Sequence, residues 1–292
     1  MQAGQSISTN VESKTMKQRS LLRWLAVISG VFLATTVYAQ NTYTFGVVPQ
    51  FEPRKLSAIW TPILQELERR TGLQFQMVGA ARIPEFEGEY EVGKYDFAYM
   101  NPYHALIAKG TQSYEPIVRD GSEKLFGIVV AAKDGPYTSL RELNGKSIAF
   151  PSPNSLGASL LVRSDLDKQH IKFLPVWAQT HTSAYLNAVL GKVEAAGGVM
   201  GTLKQQPQAV QDKLRVIYET RRISPHPIVA HPRVPAADRE KVRKALLEMG
   251  ATTEGAALLA KIPMPQVVNA SFDDYKEIKG WGLEKYYVKG SE

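Results

Sequence analysis

The sequence has no cysteine among its 292 residues. This absence excludes disulfide bridges, thiolate metal sites, a cysteine nucleophile and a lipid-modified cysteine. Stability must therefore come from packing and hydrogen bonds, and a ligand must be held by oxygen and nitrogen atoms. The sequence predicts neither a cofactor nor a metal site.

The common catalytic motifs are absent as well. The sequence contains no G-x-S-x-G elbow, no H-E-x-x-H helix, no Walker phosphate loop and no G-x-G-x-x-G turn. We therefore predict no catalytic residue and no enzyme activity. Hydrolysis of phosphate or acyl esters stays open as an alternative.

Long apolar runs are missing too. The main one, residues 24–37, is shorter than the roughly 20 residues that a membrane-spanning helix needs. Basic residues precede it and small residues follow it, which is typical of a secretory signal peptide. The sequence predicts a cleaved signal over residues 1–39, begun at Met1 or Met16, and a periplasmic product without a lipid anchor.

Charge of one sign is only mildly in excess. The chain has 35 Lys and Arg against 28 Asp and Glu, a formal net charge of +7. The basic residues are spread along the sequence and form no stripe of the kind that binds nucleic acid. This weak excess favours anionic ligands and excludes no class of fold.

Strand-like and helix-like patterns alternate through the remainder of the chain. Apolar residues from Leu56 to Leu67 recur with helical spacing, and Gly72 is suited to end that helix. Alternation of this kind predicts an α/β fold with mostly parallel sheets flanked by helices. The strand-like runs are residues 43–48, 75–78, 97–100, 117–118, 126–132, 147–150, 172–176, 194–196 and 214–218.

The length suits two lobes better than one large core. We predict that residues 40–132 and 227–292 form the first lobe and that residues 137–222 form the second. Hinge crossings are expected at 133–136 and 223–226, because both segments are rich in turn formers.

Ligands in open α/β sheets bind beyond the carboxyl ends of the strands, where helices begin. One such turn follows the strand-like run that ends near Tyr99. Asn101 is suited to cap the next helix, with Pro102 at its first position. Tyr99, Asn101 and Tyr103 are therefore candidate ligand contacts.

Two further helix starts carry suitable donors. Ser155 precedes Leu156 and Gly157, whose free amides lie at the positive end of a helix dipole and would form a seat for an anion. His181 stands at another hydroxyl-rich helix start, and His226 lies in the second crossing. These five residues complete the candidate site. Helix capping alone is the alternative explanation for the polar ones.

The sequence resembles the phosphonate/phosphite/phosphate substrate-binding proteins of ABC importers, the PhnD-like group of type II periplasmic binding proteins. The resemblance implies a two-lobed Venus flytrap that closes around a phosphorus oxyanion. The motifs that carry it are Trp60-Thr61-Pro62, Asp96-Phe97-Ala98-Tyr99, Asn101-Pro102-Tyr103-His104, Asp120-Gly121-Ser122, Pro153-Asn154-Ser155, His181 and Pro225-His226-Pro227.

Individual positions match that family unevenly. Ser155 and His181 match, whereas Leu156 and Gly157 replace hydroxyl-bearing residues, and Ile83 and Leu125 replace tyrosines.

The two carboxylates that bind an ammonium group in that family fall on Gly201 and His226. An aminoalkylphosphonate would leave its ammonium unpaired, at a cost of several kcal/mol. The resemblance therefore implies a smaller or purely anionic ligand, such as phosphite, phosphate or methylphosphonate.

The resemblance also implies the partners: a small anionic ligand and the permease of an ABC transporter in the inner membrane, with the binding protein a monomer. A sensor kinase that senses the same oxyanion is an alternative partner. A transition metal held by His104, His181 and His226 is an alternative ligand. Which oxyanion binds stays open at this point.

Overall fold

The computed structural model describes residues 42–289. The predicted signal peptide over residues 1–39, with both candidate start positions, lies outside the described residues. Within 42–289, no helix combines the length and the apolar character that crossing a bilayer requires.

Strands and helices alternate along the described chain. The strands are β1 Thr42–Val47, β2 Gln74–Gly79, β3 Phe97–Tyr99, β4 Glu115–Asp120, β5 Gly127–Ala132, β6 Lys146–Phe150, β7 Phe173–Trp177, β8 Ala195–Val199, β9 Leu214–Glu219, β10 Ile228–Ala230 and β11 Val267–Asn269. The helices are α1 Pro53–Thr71, α2 Ile83–Glu91, α3 Pro102–Gln112, α4 Val162–Lys168, α5 His181–Val189, α6 Met200–Lys204, α7 Gln208–Gln211, α8 Ala236–Gly250 and α9 Thr253–Leu259.

Shorter helical segments complete the elements. A π-helical turn, Leu156–Leu161, runs directly into α4. The 3₁₀ segments are Leu140–Leu143, Phe272–Gly280 and Leu283–Lys285.

These strands form two sheets. The first is 6-stranded with the order β11-β4-β10-β3-β1-β2, and the second is 5-stranded with the order β7-β6-β8-β5-β9. Parallel pairs dominate one side of each sheet, whereas β10 in the first and β5 in the second run antiparallel to both neighbours. The predicted α/β class with two sheets flanked by helices is confirmed, and the strand pairing is mixed, with four parallel and five antiparallel pairs among the described strands.

The first change of sheet lies at residues 121–126, so the crossing predicted at 133–136 is wrong. The strand β5 pairs with β8 and β9 and therefore belongs to the second sheet. The turn at Gly135 follows this strand within the second lobe. The chain returns to the first sheet between β9 and β10, a segment that contains residues 223–226.

The core of the first lobe is organised by α1. Its buried face consists of Leu56, Trp60, Ile63, Leu64 and Leu67, and the helix ends at Gly72, which has the left-handed φ of 69°. The ring centroid of Trp60 lies 5.2 Å from that of Phe45 and 5.1 Å from that of Tyr99. This packing fixes the strand ends from which the site is built. Pro62 lies inside the helix.

In the second lobe, a helix start lies directly against the sheet. A Cβ atom on Gly127 of β5 would fall 1.9 Å from the carbonyl oxygen of Gly157. A Cβ atom on Gly157 would fall 2.7 Å from Cγ1 of Val199 at the end of β8. Only residues without a side chain allow this approach. The two glycines therefore fix the position of the amides at residues 156–158.

The last described segment, residues 285–288, contacts both lobes. Tyr287 donates a hydrogen bond to Glu91 Oε1 in the first lobe (2.9 Å). Val288 exchanges two hydrogen bonds with the side chain of Asn154 in the second lobe, at 2.9 and 2.8 Å. We call this segment the C-terminal strap. It is a non-covalent connection between the lobes, in addition to the two chain crossings.

The close approach of Gly127 to Gly157 predicts that Gly127→Ala destabilises the fold. Overpacking against a backbone atom should lower the free energy of unfolding by about 1 to 3 kcal/mol. Gly79→Ala is a matched control, because Gly79 also lies in a strand but a Cβ atom added there would have no heavy atom within 4 Å. Urea denaturation measures both. Equal stability of the two variants would contradict this account.

Candidate functional site

A cavity of about 300 Å³ lies between the two lobes. Six of the eight candidate ligand contacts line it: Asn101, Ser155, Leu156, Gly157, His181 and His226. They come from the segment that follows β3, from two helix starts and from the second crossing. The described residues that line the cavity include no Asp, Glu, Lys or Arg. The cavity therefore offers hydrogen-bond donors and acceptors without a formally charged side chain.

Ser155 precedes the helical turn on the wall of the second lobe. It is 6% exposed, and its Oγ atom is buried without a hydrogen-bond partner among the described residues. Its carbonyl oxygen is used, since it accepts from the amides of Ser159 and Leu160. Buried polar atoms in folded proteins nearly always have a partner. The unpartnered hydroxyl is therefore an observation that points to a ligand.

The amides that follow Ser155 add to this donor set. The first amides of a helix have no acceptor within the helix, and the positive end of its dipole attracts negative charge. Leu156 and Gly157 both line the cavity. Their position against β5 and β8 brings backbone donors to a wall that carries only one hydroxyl side chain.

His181 opens α5, after Thr180, whose side chain accepts from the amide of Ser183. The His181 Nδ1 atom lies 3.1 Å from Oγ1 of Thr202, and that same oxygen donates to the carbonyl of Val199 at 3.0 Å. A hydroxyl has one proton, so when Thr202 donates it to Val199 it accepts from Nδ1–H of His181. In that tautomer Nε2 is an acceptor for a protonated oxygen of the ligand.

Burial keeps both cavity histidines neutral. Loss of solvation lowers the pKa of His181 to about 3. Loss of solvation, with smaller contributions from the neighbouring His104 and His181, lowers the pKa of His226 to about 3. Neither imidazole carries a charge at neutral pH in this closed arrangement.

Hydrogen bonds connect the lobes beside the cavity. The amide of His181 in the second lobe donates to the carbonyl of Gln50 in the first at 3.3 Å. The side chain of Asn154 donates to Oε2 of Glu87 at 2.9 Å, and Oε1 of Glu87 lies 3.0 Å from Nε2 of His104. The described arrangement is therefore closed, with buried polar groups paired across the lobes.

Two of the candidate ligand contacts, Tyr103 and Tyr99, do not line this cavity, and neither does His104 of the alternative metal site. Tyr103 does not line the cavity, because its ring packs against Tyr287 at 5.6 Å. Tyr99 lies behind His226, stacked on it at 5.2 Å, with its hydroxyl donating to the carbonyl of Ile262; it lines an adjoining pocket that shares His226 with this cavity. His104 is buried against Glu87. Within 42–289 no group of three His, Cys, Asp or Glu side chains is arranged to hold a metal ion.

Gln50 and Thr202 are site residues that the sequence did not reveal. Gln50 lines the cavity from the loop after β1, and Thr202 supports His181 from α6. Neither belongs to a motif, and both are brought in by closure of the fold. The only signal available was their position just after a predicted strand.

The comparisons with known proteins agree with one another. A family model described as "ABC transporter, phosphonate, periplasmic substrate-binding protein" matches residues 45–275. The phosphonates-binding periplasmic protein of Escherichia coli K12 is 22% identical over 241 residues, which cover 76% of this chain and 70% of that protein.

Two solved structures share the fold. A binding protein component of an ABC phosphonate transporter from Pseudomonas aeruginosa superposes with a TM-score of 0.74 at 19% identity, over 84% of this chain and 87% of that one. PhnD1 from Prochlorococcus marinus, in complex with methylphosphonate, gives a TM-score of 0.76 at 13% identity, over 85% and 99% of the two chains.

The neutral histidines predict a pH-dependent stability. In the unfolded chain they take up protons near pH 6.5, whereas the folded state keeps them neutral down to about pH 3. The stability they contribute is present above pH 6.5 and is lost as the pH falls, by at most about 1.4 kcal/mol per pH unit for each histidine.

Urea denaturation at pH 8, 6.5 and 5 measures this dependence, with a His181→Gln/His226→Gln double variant as the comparison. The double variant should lose less stability than the native chain over that range. Carboxylates whose pKa is lowered, such as Glu66 at about 2, titrate below this window. Parallel pH profiles for the two proteins would rule out neutral, buried histidines.

Proposed function

Because the chain belongs to the family of periplasmic substrate-binding proteins of phosphonate ABC transporters, we propose that its cavity captures a small phosphorus oxyanion, such as phosphite, phosphate or a phosphonate. Proteins of this family are binding components and not enzymes. The bound oxyanion is then presented to the membrane permease of an importer. Both the identity of the ligand and the residues that bind it belong to this proposal.

One observation carries the proposal: the buried, unpartnered hydroxyl of Ser155 at the helix start. A tetrahedral oxyanion supplies the acceptor that this hydroxyl lacks, and its other oxygens reach the helix amides and His181. Hydrogen bonds to a charged group contribute about 1.5 to 3 kcal/mol each. Several of them together are enough for tight binding.

The absence of carboxylates from the cavity lining supports an anionic ligand. An Asp or Glu would repel an oxyanion, and the described lining residues include neither. With its proton on Nδ1, neutral His181 also suits a ligand with one remaining O–H group, because Nε2 then accepts that proton. Singly protonated phosphonate anions and hydrogen phosphate carry such a group.

We further propose that the two crossings act as a hinge. Hydrogen bonds join the lobes beside the cavity, so a ligand enters through an open state in which these bonds are broken and the lobes separate. Export through the predicted signal peptide places this receptor in the periplasm, where the permease receives the closed form.

A thermal-shift screen tests the ligand class. Phosphite, phosphate, methylphosphonate, sulfate and arsenate are each added to the purified mature protein. A ligand at 100 times its dissociation constant should add about 2.7 kcal/mol to the stability of the folded state. We expect the shift with phosphorus oxyanions and a smaller one with sulfate. No shift with any anion would overturn the proposed function.

Ser155→Ala should weaken binding of the ligand found in that screen by about tenfold or more, since it removes one hydrogen bond to a charged group. Ser159→Ala is the matched control. Ser159 is buried on the same helical turn, but its hydroxyl accepts from Arg163 Nε at 3.1 Å and does not line the cavity. Isothermal titration calorimetry measures both, and equal affinity for the two variants would contradict the site.

A further inference from the structure

Residues 155–158 line the cavity, and we call this segment the oxyanion seat. One arginine is bonded on both sides of it. Arg163 belongs to α4, which continues the helical turn that starts at Leu156. Its Nε atom donates to Oγ of Ser159 at 3.1 Å, and its Nη2 atom donates to the carbonyl of Pro153 at 2.6 Å. The guanidinium therefore lies beside the start of the helix, because helical side chains tilt toward the N-terminus.

The other contacts of this guanidinium are with neutral groups as well. Its Nη2 atom also donates to the carbonyl of Tyr286 in the C-terminal strap at 2.6 Å. The guanidinium carbon lies 5.6 Å from the ring centroid of Trp177 and 5.9 Å from that of Tyr286. Three oxygen atoms and two aromatic rings hold Arg163 in place, and none of them carries a negative charge.

The acidic side chains of α4 are paired with other cations: Asp167 with Lys285, and Asp165 with Lys168 and Arg221. Among residues 42–289, Arg163 forms no ion pair with an Asp or Glu side chain. Its positive charge is therefore not neutralised by a direct partner in the part of the chain that the structure describes.

This position is costly for a cation on its own. Loss of solvation lowers the pKa of Arg163 to about 10, so the guanidinium still carries its charge at neutral pH. The positive end of a helix dipole also repels a cation, and a partly buried charge without an opposite charge raises the free energy of the folded state. The electrostatics of the fold alone therefore disfavours an arginine here.

An anion at the oxyanion seat would provide the opposite charge. The described side chains that line the cavity are neutral, and Arg163 is not one of them. Coulomb attraction acts beyond direct contact, and at an effective dielectric constant of about 20 it remains substantial across a layer of protein atoms. Arg163 thus carries the charge that the cavity wall itself lacks.

We propose that Arg163 is a positioning residue of the oxyanion site: it holds the seat between Pro153 and Ser159, and its positive charge attracts the bound anion without contacting it. This inference rests on the proposed function and adds to it the source of the positive charge. A purely structural role, as the anchor of the C-terminal strap, is the alternative that the experiment must separate.

Two replacements in the mature protein, Arg163→Lys and Arg163→Met, separate charge from shape. Both lose the planar guanidinium, so both should lower the free energy of unfolding measured in urea. Only Arg163→Met loses the charge. Calorimetric titration uses those of phosphite, phosphate and methylphosphonate that the native protein binds. Affinity should stay within about threefold of native for Arg163→Lys and fall by about tenfold or more for Arg163→Met.

Arg141→Met is the matched control, because it removes the same charge from an exposed arginine of the same lobe. Water screens an exposed charge, so this variant should keep the native affinity. If Arg163→Met does not fold, Arg163→Gln gives the same comparison, since glutamine is neutral and can still donate to a carbonyl.

The remaining outcomes overturn this inference. Equal weakening by Arg163→Lys and Arg163→Met would assign the residue a structural role only. Native affinity in Arg163→Met would show that its charge does not act on the ligand, and equal weakening by Arg141→Met would show that net charge alone matters. In each of these cases the native protein still binds, and the oxyanion seat at Ser155 stands. If the native protein binds none of the three anions, the proposed function fails and this inference fails with it.

Discussion

The contact between two backbones, at Gly127 and Gly157, sets the geometry on which the cavity depends. Because neither residue has a Cβ atom, the helical turn after Ser155 lies directly on β5 and β8. The same contact places the amides of Leu156 and Gly157 at the cavity and holds the buried Ser155 hydroxyl where it has no hydrogen-bond partner among the described residues. Side chains of any size at these glycines would move the donors away from the other lobe, so the binding geometry is a consequence of close packing.

The described side chains that line the cavity are all neutral. Desolvation lowers the pKa of both cavity histidines, and the described lining holds no other ionisable side chain. In the proposed function, the negative charge of the ligand is met by oriented dipoles, from helix amides and hydroxyl groups, as in other anion sites at helix starts. Such dipoles are fixed by the fold and need no reorganisation on binding. Selectivity then depends on how the oxygens and the single proton of the ligand are arranged.

Much of the fold could be predicted from the sequence, because periodic patterns record which face of an element is buried. The buried face of α1 and the longer strands are examples. The strands β10 and β11 were missed because each has three residues and closely follows a segment with two prolines, a composition that indicates a loop. The first crossing was misplaced because β5 follows β4 closely, and nothing local reveals that it pairs with β8 and β9 instead. That Ser155 and His181 line the cavity could be predicted because helix starts have a local signature. The positions of Tyr103, Gln50 and Thr202 depend on how distant segments pack.

The C-terminal strap has a kinetic consequence for a receptor that works by opening and closing. Val288 is tied to Asn154 in the second lobe, and Tyr287 to Glu91 in the first. Opening must break one of these attachments, so the strap lowers the population of the open form. A ligand associates with that form, and the observed association rate falls in proportion to its population. A bound ligand is retained longer for the same reason, so the last residues of the chain would set residence time more than they set which ligand is chosen.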